Sequence, residues 1–148
     1  MVMGIRQFEK LFRETASLDI DKSDIKRLED FITNELHKLL LMGQRSARMH
    51  GNPLITKADI PLTKGLQENI HAFKKLDEEL SVESILKHLA KHPPMSIEPD
   101  AEVEAMLAEL AGGITVSLAK VFKVLDPRLK NPQTEHWERV QDIYDILL

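Results

Sequence analysis

The sequence predicts an all-α protein in which a short–long–short run of helices occurs twice. Three observations lead there. The prolines, together with Gly51, fall between periodic segments, at Gly51-Asn52-Pro53, Pro61, Pro93-Pro94, Pro99, Pro127 and Asn131-Pro132. Almost every segment between those breaks repeats its apolar residues at helical spacing. The second half also keeps the apolar register of the first.

Taken in order, Ile5, Phe8, Leu11, Phe12 and Ala16 line one face of a short helix. A long helix follows, with Ile25, Leu28, Ile32, Leu36, Leu39, Leu40, Gly43 and Ala47 on one stripe. Ile60, Leu66, Ile70, Phe73, Leu76 and Leu80 mark a third helix. Thr56-x-x-Asp59 is a capping signal, and Pro61 is tolerable only in a first turn, so this helix is expected to start close to Asp59. Ile85, Leu86, Leu89 and Ala90 give a short helix. Val103, Met106, Leu107, Leu110, Ile114, Leu118, Val121 and Leu125 give a second long one, and Trp137, Val140, Tyr144 and Leu147 a last short one. Phe31, Leu41, Met42 and Val124 fall outside the main stripes, which fits either further association or a wide stripe in a crowded core.

The repeat is read by superposition. Leu18-Asp19-Ile20-Asp21 lies over Met95-Ser96-Ile97-Glu98 at an offset of 77. The long helices then align at an offset of 78, with Ile25 on Val103, Leu28 on Met106, Ile32 on Leu110, Leu36 on Ile114, Leu40 on Leu118 and Ala47 on Leu125, and Thr56 falls on Thr134. A helix of roughly 25 residues, about 38 Å long, cannot bury its stripe against two short neighbours alone. Residues 1–148 are therefore read as one domain, with 1–80 and 81–148 as halves that cover each other. Gly112 and Gly113, near the middle of the second long helix, either admit a close helix crossing or mark a local weakness, at ~1 kcal/mol of propensity each.

The segment from Met49 to Ile60 ends a long helix in a His50-Gly51 pair, continues through a short extended stretch, and opens the next helix with Thr56-x-x-Asp59-Ile60. It resembles the second loop of a histone fold. Two such units in one chain resemble the bacterial single-chain histone-fold doublets, a small family of unknown function. The resemblance implies a histone fold packed as an intramolecular pseudodimer, with each second loop beside the first loop of the other half. Arg45, Arg48 and Lys57 would then neighbour Glu98 and Asp100, and Arg128 and Lys130 would neighbour Asp19 and Asp21. The loop departs from DNA-packaging histones in carrying Asn52-Pro53-Leu54-Ile55 where basic residues usually precede the threonine. Asn52 stands where an arginine commonly clamps the aspartate and is expected to donate to Asp59 without charge assistance. Trp137 takes the aspartate's place in the second half, where it reads as a core residue.

Composition narrows the function. The chain has 148 residues, 43% hydrophobic and 30% charged, with no cysteine, which excludes disulfides, thiolate metal sites and cysteine nucleophiles. The net charge of −4 argues against a polycation that coats nucleic acid. The first 77 residues hold 13 Lys+Arg against 11 Asp+Glu and the remainder 7 against 13, so the mild positive excess lies in the first half. The DNA-contact candidates are Arg45, Arg48, Lys57, Lys64, Arg128 and Lys130, which also read as solvated cations near helix ends. The loop and cap positions are Asn52, Thr56, Asp59 and Thr134.

His88 and His92 are four apart but lack a third ligand, and Glu68-x-x-His71 occurs once where di-metal bundles need it twice, so no metal or cofactor is expected. No phosphate loop, nucleophile elbow or zincin motif is present. No apolar run approaches the ~18 residues that cross a bilayer, and charges at Arg6, Glu9 and Lys10 interrupt any signal-like stretch. The sequence thus predicts a cytoplasmic, non-enzymatic structural or protein-interaction module, with a protein partner or a second copy as its ligand. The alternative is a nucleoid-associated protein that binds duplex DNA weakly, without sequence preference and with strong salt dependence.

Overall fold

The computed structural model describes residues 5–148, and Met1–Gly4 of the first half lie outside the described residues. It is all-helical. α1 spans Ile5–Ala16, α2 Lys22–Met49, α3 Lys64–Leu80, α4 Glu83–Leu89, α5 Ala101–Leu125 and α6 Thr134–Leu147, with one 3-10 turn at Lys57–Asp59.

The caps set where the long helices begin. Asp21 accepts from the Ser23 amide at 2.9 Å, and Asp24 reaches back to the Asp21 amide at 2.9 Å, a reciprocal box that satisfies two orphan donors. Asp100 accepts from the Val103 amide at 2.9 Å and starts α5 with that single cap bond. α2 ends where Gly51 turns left-handed at φ +68°, a conformation that costs a glycine nothing.

The entry to α3 differs from the expectation drawn from Asp59 and Pro61. Asp59 closes only the 3-10 turn; Ile60 is extended, the Leu62 amide bonds back to the Ile60 carbonyl at 3.0 Å across Pro61, and Thr63 caps α3 by accepting from the Leu66 amide at 3.1 Å. A proline φ suits this connector as well as a first turn. In the second half, Gln133 rather than Thr134 occupies the cap, held by His136 Nδ1 accepting its amide at 2.9 Å. Thr134 Oγ1 instead accepts from Arg27 of α2 at 2.6 Å.

All six helices feed one continuous core, through Phe8, Leu28, Phe73, Leu86, Leu107 and Val140 among others. α5 lies at its centre and packs against α1, α2, α3, α4 and α6. By length and composition α5 is long and apolar enough to cross a membrane, contrary to the reading of the sequence, because its alanines add to the hydropathy of its aliphatic residues without forming an uninterrupted aliphatic run. Here two-thirds of that stretch is buried among the other helices.

The glycine pair meets α3. A Cβ built on Gly112 would lie 2.4 Å from the Phe73 ring, and one on Gly113 would lie 2.5 Å from Ile70 Cγ1 and 3.1 Å from the Ile70 backbone nitrogen. The close approach therefore joins α5 to the third helix of the first half, whereas α2 packs on α5 without it. α6 contacts α2 through large side chains: Phe31 stacks edge-on to Tyr144 at 4.8 Å, which makes Phe31 a core residue. Leu41, Met42 and Val124 are exposed.

Trp137 is buried as expected, and its indole donates to Asp24 Oδ1 at 3.1 Å across 113 residues of sequence. Asp24 is itself buried, and desolvation outweighs its hydrogen bonds to hold its carboxyl above the usual range. Trp137→Phe keeps the apolar ring but removes a donor to this carboxylate, and is expected to cost about 1–3 kcal/mol in urea unfolding.

Candidate nucleic-acid interface

Two loop pairings bring the sequence-predicted residues together. Ile55 donates its amide to the Glu98 carbonyl at 2.9 Å and accepts from the Asp100 amide at 2.9 Å, so it forms a one-residue parallel bridge with Pro99. At the other end the Asp19 amide donates to the Lys130 carbonyl. The first contact satisfies both backbone groups of the buried Ile55.

The first end is anchored by Asp59, which is 7% exposed. Ser46 Oγ donates to Asp59 Oδ1 at 2.7 Å, while the Thr56 amide and hydroxyl donate to Oδ2 at 2.9 and 3.0 Å. The Ser46 hydroxyl first, then the Thr56 amide and hydroxyl and the Asn52 side chain, hold the Asp59 carboxyl down at about 2. Ser46 is the member that sequence reasoning missed, although its place one turn before His50 puts it on the face that meets the loop. Gly43, also on this face, leaves room for Ile55 and Ile60, whose side chains would stand 2.9 and 3.0 Å from an added Cβ.

Around this anchor the basic candidates are all exposed. Arg48 Nη2 reaches Ser96 Oγ at 3.4 Å, and Lys57 pairs with Glu102 at 3.7 Å, rather than with Glu98 or Asp100. The reason is local: Asp100 is engaged as the α5 cap, and Glu98 accepts from the Met95 amide at 2.8 Å. Lys64 pairs with Glu68 one turn on, at 3.3 Å. At the second end Asp19 pairs with Arg13 and Asp21 caps α2, so neither meets the side chain of Arg128 or Lys130. Among the described residues Arg45, Arg48, Arg128 and Lys130 make no side-chain ion pair. Such surface pairs as exist contribute about 0–1 kcal/mol and screen readily.

Sequence reasoning also missed an open cavity of about 380 Å³ lined by α2, α3, α5 and α6. Its walls include Leu66, Val121, Tyr144 and Leu147. Glu35, 1% exposed, lies on its α2 side and is paired with Lys38 at 2.9 Å. Lys38 also bonds to Asp145, and these two carboxylates hold its ammonium above the usual range against the pull of burial. Tyr144 Oη and Ser117 Oγ lie 2.6 Å apart, and burial pushes the phenol up to about 12. The sequence signal for Glu35 was its position between Ile32 and Leu39 on the apolar stripe, with a lysine one turn later.

Comparison with known proteins places the chain. Residues 8–145 match the family described as "Domain of unknown function (DUF1931)". Two uncharacterised proteins of Aquifex aeolicus (strain VF5) are each 27% identical, one over 96% of this chain and 82% of its own length, the other over 85% and 81%. A Thermus thermophilus protein of known crystal structure is 45% identical, covers 100% of both chains and superposes with a TM-score of 0.86. An Aquifex aeolicus crystal structure, 26% identical over 98% of this chain and 95% of its own, gives 0.84. With a match over nearly its whole length, the chain belongs to the DUF1931 family of uncharacterised proteins.

Proposed function

We propose that the chain is a histone-fold pseudodimer, with residues 1–80 and 81–148 as its two members, that serves as a non-enzymatic docking module for another protein. The reciprocal loop contacts, Ile55 with Glu98 and Asp100 and Asp19 with Lys130, support the pairing of halves. One observation carries the docking role. Leu147 and Leu148 at the mouth of the α2–α3–α5–α6 cavity are 74% and 50% exposed, and Ile146 beside them is 82% exposed. Exposed apolar side chains grouped at a cavity mouth are suited to a protein ligand.

A second reading, duplex DNA bound at the loop ends, is favoured by Arg45, Arg48, Arg128 and Lys130 standing outside any ion pair among the described residues. Phosphate contacts lose affinity steeply as salt rises, with a log–log slope near −0.9 per neutralised phosphate. A titration of duplex DNA over a salt series separates the two. The docking reading expects no retention of duplex even at low salt. Retention at low salt that falls steeply as salt rises and is lost in Arg48→Glu with Arg128→Glu would replace docking by DNA binding.

A further inference from the structure

We infer a site for a first-row divalent cation of the zinc class at His92, Glu98 and Glu104, where α4 gives way to α5. His88, the ligand that sequence spacing would pair with His92, is exposed and takes no part; the carboxylates come instead from the loop six residues on and from the first turn of α5. The donor atoms of the three side chains lie within 4.8 Å of one another.

The orientation of the imidazole carries the inference. His92 Nδ1 lies 2.9 Å from the Pro93 carbonyl, which only accepts, so Nδ1 holds the hydrogen. Nε2 is thereby turned toward Glu104 Oε1 at 2.9 Å, with Glu98 beside it. A neutral imidazole would present a lone pair to two anionic groups, an arrangement that requires a positive species between them. A proton on Nε2 serves one oxygen at a time; a cation serves both carboxylates and the ring together. A backbone carbonyl fixing the remote ring nitrogen is the outer-shell contact that metal-binding histidines use. Glu98 Oε1 accepts from the Met95 amide at 2.8 Å, which leaves its second oxygen as a donor for a cation.

The donor set selects the ion. Three protein ligands with a position open to water suit zinc at about 2.0–2.2 Å per bond. Drawing the group onto one centre needs side-chain rotation only at Glu98 and Glu104, both exposed, while the Pro93-Pro94 pair holds the histidine's backbone. An imidazole donor ranks zinc above manganese, and magnesium, which favours oxygen ligands and its own waters, ranks lowest.

The test is calorimetric titration of the full chain, stripped with chelator, with Zn²⁺ and with Mg²⁺. Saturable uptake of one Zn²⁺ per chain is expected, unaffected by millimolar Mg²⁺. Glu98→Gln, at an exposed position that leaves the fold intact by circular dichroism, and His92→Ala should each weaken it at least tenfold, while His88→Ala leaves it unchanged. Co²⁺ in place of Zn²⁺ should give visible absorption that Glu98→Gln alters. No saturable uptake, uptake in Glu98→Gln equal to that of the parent, or loss of uptake in His88→Ala would each overturn the assignment.

Discussion

Valine in place of Gly113 lowers the stability of the fold by about 3 kcal/mol, the upper end of what overpacking costs. The cost follows from what stands opposite. An added Cβ would lie 2.5 Å from Ile70 Cγ1, which a rotamer change relieves, but also 3.1 and 3.2 Å from the Ile70 nitrogen and Cα, which no rotamer moves. The two γ-methyls of valine deepen the conflict, so α3 must shift as a unit. Phe73, 1% exposed against Gly112, shifts with it and loses part of its burial. Replacing glycine in a helix interior recovers only a few tenths of a kcal/mol for a β-branched residue. The urea midpoint of Gly113→Val should drop with an unchanged slope. Gly65→Ala, in the first turn of α3 with nothing within 4 Å, provides the contrast and should hold the midpoint or raise it slightly. Equal midpoints for Gly113→Val and the parent would mean that α3 does not press on α5.

Acid has the second large effect, through Asp59. Its carboxyl sits at about 2 in the folded chain against an ordinary 3.8. A depressed carboxylate contributes stability that is fully present above the unfolded value and disappears as pH falls through the folded one. The contribution is about 2 kcal/mol, at ~1.36 per unit of separation, constant from neutral pH down to about 5 and gone by about 1. Asp59→Asn removes this dependence and also disturbs the bonds from Ser46 and Thr56, so at neutral pH it should cost at least as much. Unfolding measured at a series of pH values should show the parent and Asp59→Asn converging as pH falls from about 4 to about 2. A gap that stays constant over that interval would show that the charge on Asp59 contributes nothing.

The stripes of α1, α2 and α5 were legible because a helix that buries one face must repeat its apolar residues at that face's spacing. Every α2 residue named from periodicity is buried. Phe31 escaped because α2 has a second partner in α6, and a helix with two neighbours carries a stripe wider than one period reveals. The start of α3 was misplaced because Thr56-x-x-Asp59 is a complete capping unit even when only a 3-10 turn follows, and Thr63, beyond Pro61, supplies the true cap. At the candidate sites, local chemistry was readable and long-range pairing was not. Thr56 with Asp59 is a contact across three residues; Ser46 with Asp59 spans thirteen, and Trp137 with Asp24 spans 113. His92 with Glu104 depends on how a proline-rich loop folds back, which spacing alone does not encode.

The contrast between the two flanks of the core has a further consequence. Residues 78 positions apart, Gly113 and Glu35, stand at corresponding places in the two long helices: bare backbone beneath α3 on one flank, a sequestered carboxylate beside α6 on the other. An assembly of two identical chains would have to use the same residue twice and accept its drawbacks in both settings. Covalent continuity lifts that obligation. In the proposed pseudodimer each half can vary alone, so that one flank closes tightly on Gly113 while its counterpart keeps the hollow beside Glu35.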